Sequence, residues 1–210
     1  MKPRPTFKQL SLVAVICISF AAAVLTVGAR AETDNNTRPL GDSRVFAPFP
    51  AEPGFPEAIA INGDRVYVSG PAQFNNFVQP AVIAYDLNTG AQVAEYPILG
   101  QNPNLPQAAD GIAFGKSGKL YVALAGTGQI SVLRPDGTEE TRYSGPAQNP
   151  ANPSPPLPWA NPSAIAFDDK TRSLLVTNHA IFFPNAAQFF AVFDVYVDDK
   201  ADHLARPHVP

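Results

Sequence analysis

Short apolar stretches separated by polar turns recur along this chain, and three of them share one pattern. The pattern is an apolar strand, a polar turn and a second apolar strand. Isoleucines hold corresponding places in the three copies, 53 residues apart each time: Ile59, Ile112 and Ile165. Self-similarity at a fixed period of this length indicates a repeat architecture.

Each copy predicts a blade of short antiparallel strands joined by hairpins. The first copy predicts strands over Ala58–Ile61, Val66–Ser69, Ala81–Tyr85 and Gln92–Tyr96. The second predicts strands over Gly111–Phe114, Leu120–Leu124, Ile130–Arg134 and Thr138–Tyr143. The third predicts strands over Ala164–Phe167, Leu174–Thr177 and Phe189–Val195, with no evident fourth strand. Four short strands in about 40 residues are typical of a propeller blade.

The predicted fold class is therefore all-β, with propeller-type repeats over about 54–98, 108–144 and 161–197 and a proline-rich connection over 146–162. Propellers close with about four to eight blades, so three blades predict an incomplete or open propeller. An open fan, assembly with a second copy and a shortened relative of a longer propeller all fit the pattern. We also expect Ser43–Phe46 to supply the missing outer strand of the last blade.

Residues 1–31 have the pattern of a signal peptide. Basic residues precede the apolar run Leu10–Val27, and Ala29-Arg30-Ala31 forms a small-x-small cleavage site. We predict a secreted or periplasmic protein with no stable membrane span after cleavage, an uncleaved anchor being the alternative. The mature chain then has a flexible start over 32–43 and a propeller-like domain over 44–210.

Charge and cysteine content narrow the classes of partner and site. Cleavage after residue 31 removes four basic and no acidic residues, which leaves eleven basic residues against eighteen acidic ones. No basic stripe remains for nucleic acid, so we expect no nucleic-acid partner. The only cysteine, Cys17, lies in the predicted signal, so the mature protein has no disulfide, thiolate ligand or cysteine nucleophile.

The repeats predict one functional rim. In an up-and-down blade, the residues entering the first strand and the loop joining strands two and three lie on the same rim, and Glu57, Asp110 and Ser163 precede the innermost strands there. Two converging carboxylates repel each other unless a cation joins them, and a hard oxygen-ligated ion fits. The alternative is that each acid satisfies backbone N–H groups of its own turn.

Two long loops on the same rim carry aromatic and polar side chains that form a candidate substrate pocket, because binding sites favour loops on a rigid scaffold. Its members are Phe74, Phe77, Asn178, His179, Phe182 and Phe183. Burial as ordinary packing is the commoner role of phenylalanine and stays the alternative.

The run from Ala109 to Ala123 resembles the blade motif P-D-G-(I/L)-x-x-D-x-x-G-x-L-(W/Y)-V-A of the family that comprises senescence marker protein, gluconolactonase and luciferin-regenerating enzyme. The resemblance covers 108–197 well and 54–98 loosely. It implies a propeller with one divalent cation in the channel, calcium or magnesium with zinc as a third candidate. The family's ligands are a glutamate, an asparagine and the aspartate of the motif. Asp110 matches that aspartate and Glu57 stands at the place of the glutamate, whereas no segment matches the asparagine.

The resemblance implies a metal-dependent hydrolase of lactones or esters, in which Asp110 is both a metal ligand and a proton acceptor and Glu57 is a ligand. A non-catalytic propeller that binds a peptide, glycan or protein is the alternative, and an inactive shortened relative is a third reading. Because three blades leave strand edges unpaired, we also expect self-association.

Overall fold

The computed structural model of the protein describes residues 39–49, 55–70, 79–100, 108–145, 157–180 and 184–202. The chain forms two units, Met1–Ser43 and Arg44–Pro210. The predicted signal peptide, and the predicted flexible segment up to residue 38, lie outside the described residues. In the part of the first unit that is described, the Asp42 N–H donates to the carbonyl of Pro39 at 3.0 Å and forms a turn.

The described residues of the second unit are all-β and form three antiparallel sheets, as the alternation of apolar and polar positions predicts. The first sheet contains β1 Ile59–Asn62, β2 Arg65–Gly70, β3 Ala81–Asp86 and β4 Gln92–Pro97. The second contains β5 Ala109–Phe114, β6 Leu120–Leu124, β7 Gln129–Leu133 and β8 Glu139–Ser144. The third contains β9 Pro162–Asp168, β10 Ser173–Asn178 and β11 Ala191–Tyr196, with the short 3-10 helix Ala186–Phe189 ahead of its last strand. These sheets have the form of propeller blades, so the predicted fold class is confirmed.

Polar turns end the strands at one rim, which we call the hairpin rim. Asp86, Asp136 and Asp168 each begin a turn there and accept hydrogen bonds from backbone N–H groups two or three residues later, at 2.8–3.0 Å. An aspartate at such a position replaces the backbone acceptor that the end of a strand lacks. Gly63 has a φ of 58°, which the two-residue hairpin between β1 and β2 requires.

The sheets stack in chain order, because the first strand of the second sheet contacts the first strands of both neighbours. One apolar core lies between the first and second sheets and includes Val82, Ile112 and Val122. Another lies between the second and third sheets and includes Tyr121 and Leu174. Both faces of the second sheet are therefore covered, and every residue of β6 is buried.

The expectation that Ser43–Phe46 completes the last blade is wrong. Residues 43–46 form no strand and the third sheet has three strands, with β9 and β11 at its edges. The following residues instead pack on the first sheet, where Ala47 and Phe49 contact the cluster of Val66, Ile83 and Tyr85. This segment thus packs on the apolar face of the first sheet, which is the sheet nearest to it in sequence. We call the segment the strap (Phe46–Phe49).

The end of the described chain is held at the hairpin rim of the second sheet. The buried carboxylate of Asp199 accepts hydrogen bonds from the hydroxyls of Ser117 and Tyr121, the latter at 3.1 Å. The Asp202 N–H also donates to the carbonyl of Phe114 at 2.9 Å. In the described ranges no helix is long and apolar enough to cross a membrane.

Candidate functional site

The innermost strands bring the equivalent polar residues of the three repeats to one rim, opposite the hairpin rim, which we call the mouth. Asp110 and Ser163 lie near the starts of β5 and β9, and Glu57 lies two residues ahead of β1. Because β5 packs between β1 and β9, Asp110 lies between the other two. The Ser163 hydroxyl hydrogen-bonds the Asp110 carboxylate, and the Asp110 charge acts on Glu57.

A glycine permits the close approach of β5 and β9. A Cβ added at Gly111 would lie 2.8 Å from the Cα of Ala164 and would overlap the backbone of Ser163. Real Cβ atoms do not come that close to backbone, so any side chain at this position would separate the two strands. Gly111 therefore allows Ser163 to reach the Asp110 carboxylate on the adjacent strand.

A buried serine attaches the first sheet to the same place. The Ser69 hydroxyl donates to the backbone carbonyl of Asp110 at 2.6 Å and accepts from the Ala58 N–H at 2.9 Å. The Glu57 N–H in turn donates to the carbonyl of Ser69 at 3.0 Å. One residue at the end of β2 thus fixes the backbones that carry both carboxylates.

The electrostatic environment raises the pKa of both acids. For Glu57 the cause is partial burial, followed by the negative charge of Asp110. For Asp110 the cause is burial, which outweighs the opposing effects of the Ser163 hydrogen bond, the His179 charge and the Gly111 N–H. Burial and a like charge both disfavour ionisation. The mouth therefore holds two carboxyls whose ionised form is disfavoured mainly by burial, and for Asp110 the local hydrogen bonds and charge offset that effect only in part.

His179 lies at the mouth, where its charge acts on Asp110 and its backbone N–H donates to the carbonyl of Asn161 at 3.0 Å. Its neighbour Asn178 is buried, and its amide is used within the fold. The Asn178 Oδ1 accepts from the N–H groups of Ala160 and Asn161, and its Nδ2 donates to two backbone carbonyls. A side-chain amide has two acceptor sites and two donors, so all four are occupied.

The four phenylalanines predicted to line the pocket, Phe74, Phe77, Phe182 and Phe183, lie outside the described residues. Other apolar side chains surround the mouth. A cavity of 320 Å³ beside Glu57 is lined by Phe49 of the strap and Ile59 of β1, among others. A wider hollow beside His179 is lined by Phe190 and Val192.

The donor set decides which cation the mouth suits. Glu57 and Asp110 supply two carboxylates, and within the described residues no group of three or more His, Cys, Asp or Glu side chains is placed to hold a metal. Magnesium commonly uses one or two carboxylates and keeps several waters, and calcium also accepts water among its oxygen ligands. A structural zinc site uses four ligands, mainly Cys and His. Two carboxylates completed by water match the donor preference of calcium and magnesium more closely than that of zinc.

Sequence reasoning identifies the two acids and Ser163 from their shared place in the repeat, but it misses Ser69 and Gly111 as positioning residues. Ser69 is a small polar residue at the end of an otherwise apolar strand, and Gly111 stands where the other repeats have Ala58 and Ala164. Both departures from the repeat are visible in the sequence. Their meaning depends on the distance between neighbouring sheets, which the sequence does not give.

The three blade-like sheets and the polar mouth define the class: an all-β protein with the architecture of an incomplete propeller. No family model matches the sequence, and no curated protein matches it either. Among solved structures, that of luciferin-regenerating enzyme is similar, with 16% sequence identity and a TM-score of 0.47. The similarity covers 70% of this chain and 46% of that one, so the chain spans less than half of that enzyme's length.

Proposed function

We propose that the mouth binds a divalent cation, calcium or magnesium, and uses it to hydrolyse a lactone or an ester. The observation that carries the proposal is that Glu57 and Asp110 lie together at the mouth and that the pKa of each is raised. Carboxylates that only accept hydrogen bonds within their own turn have a lowered pKa in this same molecule, as Asp136 does. The mouth acids therefore differ from turn acids and match an oxygen-ligand site for a hard cation.

Each residue of the mouth has a distinct role in this proposal. Glu57 and Asp110 hold the cation, which when bound polarises the substrate carbonyl and lowers the pKa of a water molecule. Asp110 would accept the proton of the attacking water, because it is the more enclosed of the two acids. The Ser163 hydroxyl keeps the Asp110 carboxylate oriented, and the Ser69 hydroxyl holds its backbone.

The family resemblance supports the hydrolase proposal. The motif around Asp110 places an aspartate at the start of an innermost strand, and the structure has such a strand there. We propose on this basis that the protein is an exported relative of the gluconolactonase group. The asparagine ligand of that group has no match in the sequence, so water is expected to complete the coordination shell.

A second candidate is a non-catalytic binding module. The observation that favours it is the pair of apolar hollows beside the mouth, one beneath the strap and one at Phe190 and Val192. Ligand pockets are mostly apolar with a few polar groups that fix orientation. In this alternative Glu57 and Asp110 orient a ligand and perform no chemistry.

The proposal is tested by adding calcium or magnesium to chelator-treated protein and recording the melting temperature and the hydrolysis of a simple lactone. A ligand that binds only the native state stabilises it by about 2.7 kcal/mol at a hundredfold excess over Kd. We expect wild type and Asp136→Asn to show this rise, and Asp110→Asn to lose most of it together with the activity. A cation-dependent rise without lactone hydrolysis would favour the binding module, and an undiminished rise in Asp110→Asn would refute the site.

A further inference from the structure

The stack of described sheets ends in two faces on which no further described sheet packs. The leading face is the face of the first sheet that points away from the second, and it exposes Ile59 (67% of its surface) and Ile61 (37%). The trailing face is the outward face of the third sheet, and it exposes Leu175 (39%), Val192 (64%) and Tyr196 (66%). Apolar groups concentrated on a sheet face indicate a surface that packs against a partner.

The repeat shows what the leading face lacks. The residues equivalent to Ile59 in the other repeats are Ile112 and Ile165. Ile112 is 7% exposed because it packs on the first sheet, and Ile165 packs in the core formed with the second. Ile59 occupies the same position, but among the described residues no sheet precedes it. At β1 the leading face is therefore the uncovered part of an interface that the molecule makes twice internally, while the strap covers Val66, Ile83 and Tyr85 beside it.

The trailing face is the other half of that interface. Its Leu175 is equivalent to Tyr67 of the first sheet and Tyr121 of the second. Both tyrosines pack against the sheet that follows their own, and Tyr121 is only 2% exposed. The trailing face thus exposes an apolar side chain at the position that packs on the following sheet in the other two repeats.

We propose that two copies of this chain pack head to tail, trailing face on leading face, and close a ring of six sheets. Three sheets from each copy give a number within the roughly four to eight at which propellers close. A heterologous interface forms a closed ring when its rotation returns to the start. Both faces of each copy are then covered by the other copy.

The strap determines where the partner can dock. Ala47 and Phe49 cover Val66, Ile83 and Tyr85 on the leading face, whereas β1 remains open. The contact is therefore centred on the innermost strands, where the internal sheets also approach most closely. At the trailing face Ala164 holds the repeat position of Ala58 and Gly111 and is exposed, so its side chain would face the backbone at Ala58 and Ile59 of the partner subunit, as Ala58 faces the second sheet.

The ring would also complete the mouth. In one chain Asp110 lies between Glu57 and Ser163, because equivalent positions of successive sheets are neighbours. The same relation places Glu57 of the partner subunit beside Ser163. Four carboxylates then surround one channel instead of two. This consequence rests on the proposed function, whereas the packing of the faces does not.

The first test is the mass of the full chain in excess chelator, which separates assembly from cation binding. We expect a species of twice the 22.4 kDa chain mass at micromolar concentration. A monomer, or open-ended higher assemblies, would overturn the ring. Failure of cation binding would leave this result unchanged, so the two proposals fail separately.

Charged substitutions test which faces meet. Ile59→Lys and Leu175→Lys change exposed side chains, so each monomer should keep its circular dichroism spectrum. Either should raise the dimer Kd by at least about tenfold, because an unpaired charge at the centre of an interface is strongly unfavourable. Leu87→Lys is the matched control, since Leu87 is 37% exposed but lies in a turn at the hairpin rim. Equal Kd values for all three variants would show that the faces are wrongly assigned.

Cross-linking tests the head-to-tail orientation in a Cys17→Ser background. An added Gly111 Cβ would lie 2.9 Å from the Ile165 N, and the Ile165 side chain packs towards the second sheet, so the equivalent pair between copies, Ala164 and Ile59, is placed for a disulfide. Mixing an Ile59→Cys chain with an Ala164→Cys chain should give a covalent dimer on oxidation. Each variant alone should remain uncross-linked, and a covalent dimer from either one alone would contradict the orientation.

Discussion

The two rims of the molecule use acidic residues in opposite ways. At the hairpin rim the pKa values of Asp86, Asp136 and Asp168 are lowered, chiefly by hydrogen bonds from the threonine hydroxyls and backbone N–H groups of their own turns. At the mouth the pKa values of Glu57 and Asp110 are raised, first of all by burial. Hydrogen bonds thus favour the ionised form of the turn acids, whereas burial disfavours the ionised form of the mouth acids. This difference identifies the mouth as the candidate site.

The difference also sets how each rim contributes to stability as pH changes. A carboxyl with a raised pKa in the folded state favours folding below its unfolded pKa, and this contribution is lost as the pH rises through the folded value. A carboxyl with a lowered pKa contributes above its unfolded value and loses that contribution as the pH falls through the folded value. The ordinary pKa values are 4.5 for Glu57 and 3.8 for the aspartates. In chelator, ionisation of the mouth acids should therefore lower the free energy of unfolding as the pH rises above about 4 to 5. Protonation of the turn acids should lower it as the pH falls below about 4.

The largest expected effect comes from closing the space between β5 and β9. Gly111→Val would force the strands apart and lower the free energy of unfolding by about 1–3 kcal/mol, a typical cost of overpacking. Ala58→Val is the comparison, because Ala58 occupies the equivalent position at the first sheet. A denaturant titration that shows equal losses for the two variants would contradict the assigned role of Gly111.

A smaller effect of opposite sign is expected from Asp110→Asn in chelator. The substitution removes the like charge that acts on Glu57, so it should raise the melting temperature near pH 7 while it abolishes the cation response. The gain should stay below about 1 kcal/mol, because both acids are partly solvated. A melting temperature that falls in chelator would show that the Asp110 carboxylate serves the fold as the turn acids do.

The matched change at the hairpin rim should have the reverse sign. Asp136→Asn weakens the acceptor for the Thr138 N–H and hydroxyl, so it should lower the melting temperature slightly at pH 7. It should leave the cation response unchanged, because Asp136 is remote from the mouth acids in the repeat. Thermal melts with and without calcium measure both quantities, and a lost calcium response would break the distinction between the rims.

The smallest effect is expected from Ser163→Ala. The Ser163 hydroxyl stabilises the ionised form of Asp110, so its removal should raise the pKa of Asp110 further. The pKa of Asp86 at the other rim should not move. Carboxyl NMR titration of the two aspartates gives both values, and an unchanged Asp110 would mean that the hydrogen bond does not act on the charge.

The blades could be predicted because each is a local pattern. Alternating apolar residues, and turns that begin with Asp86, Asp136 or Asp168, place the strands within one or two residues of their observed ends. The third sheet's missing fourth strand was also evident, because the residues after Asp198 are polar. The prediction that Ser43–Phe46 forms the outer strand of the last blade was wrong, since the path of this segment depends on which apolar face is nearest in three dimensions.

The mouth could be predicted only in part. The repeat places Glu57, Asp110 and Ser163 at equivalent positions, and equivalence is enough to predict that they converge. It does not predict that backbone groups occupy every hydrogen-bonding site of the Asn178 side-chain amide, because those backbone groups lie on the segments before β9 and β11. It also does not show the direction of each pKa shift, which depends on burial.

Without a cation, the mouth disfavours the ionised form of both its carboxyls. Carboxyl NMR titration of Glu57 and Asp110, in chelator and again with excess calcium, measures this property. We expect pKa values above the ordinary 4.5 and 3.8 in chelator and a fall of both when calcium is added. An Asp110 pKa at or below its ordinary value, unmoved by calcium, would contradict this expectation.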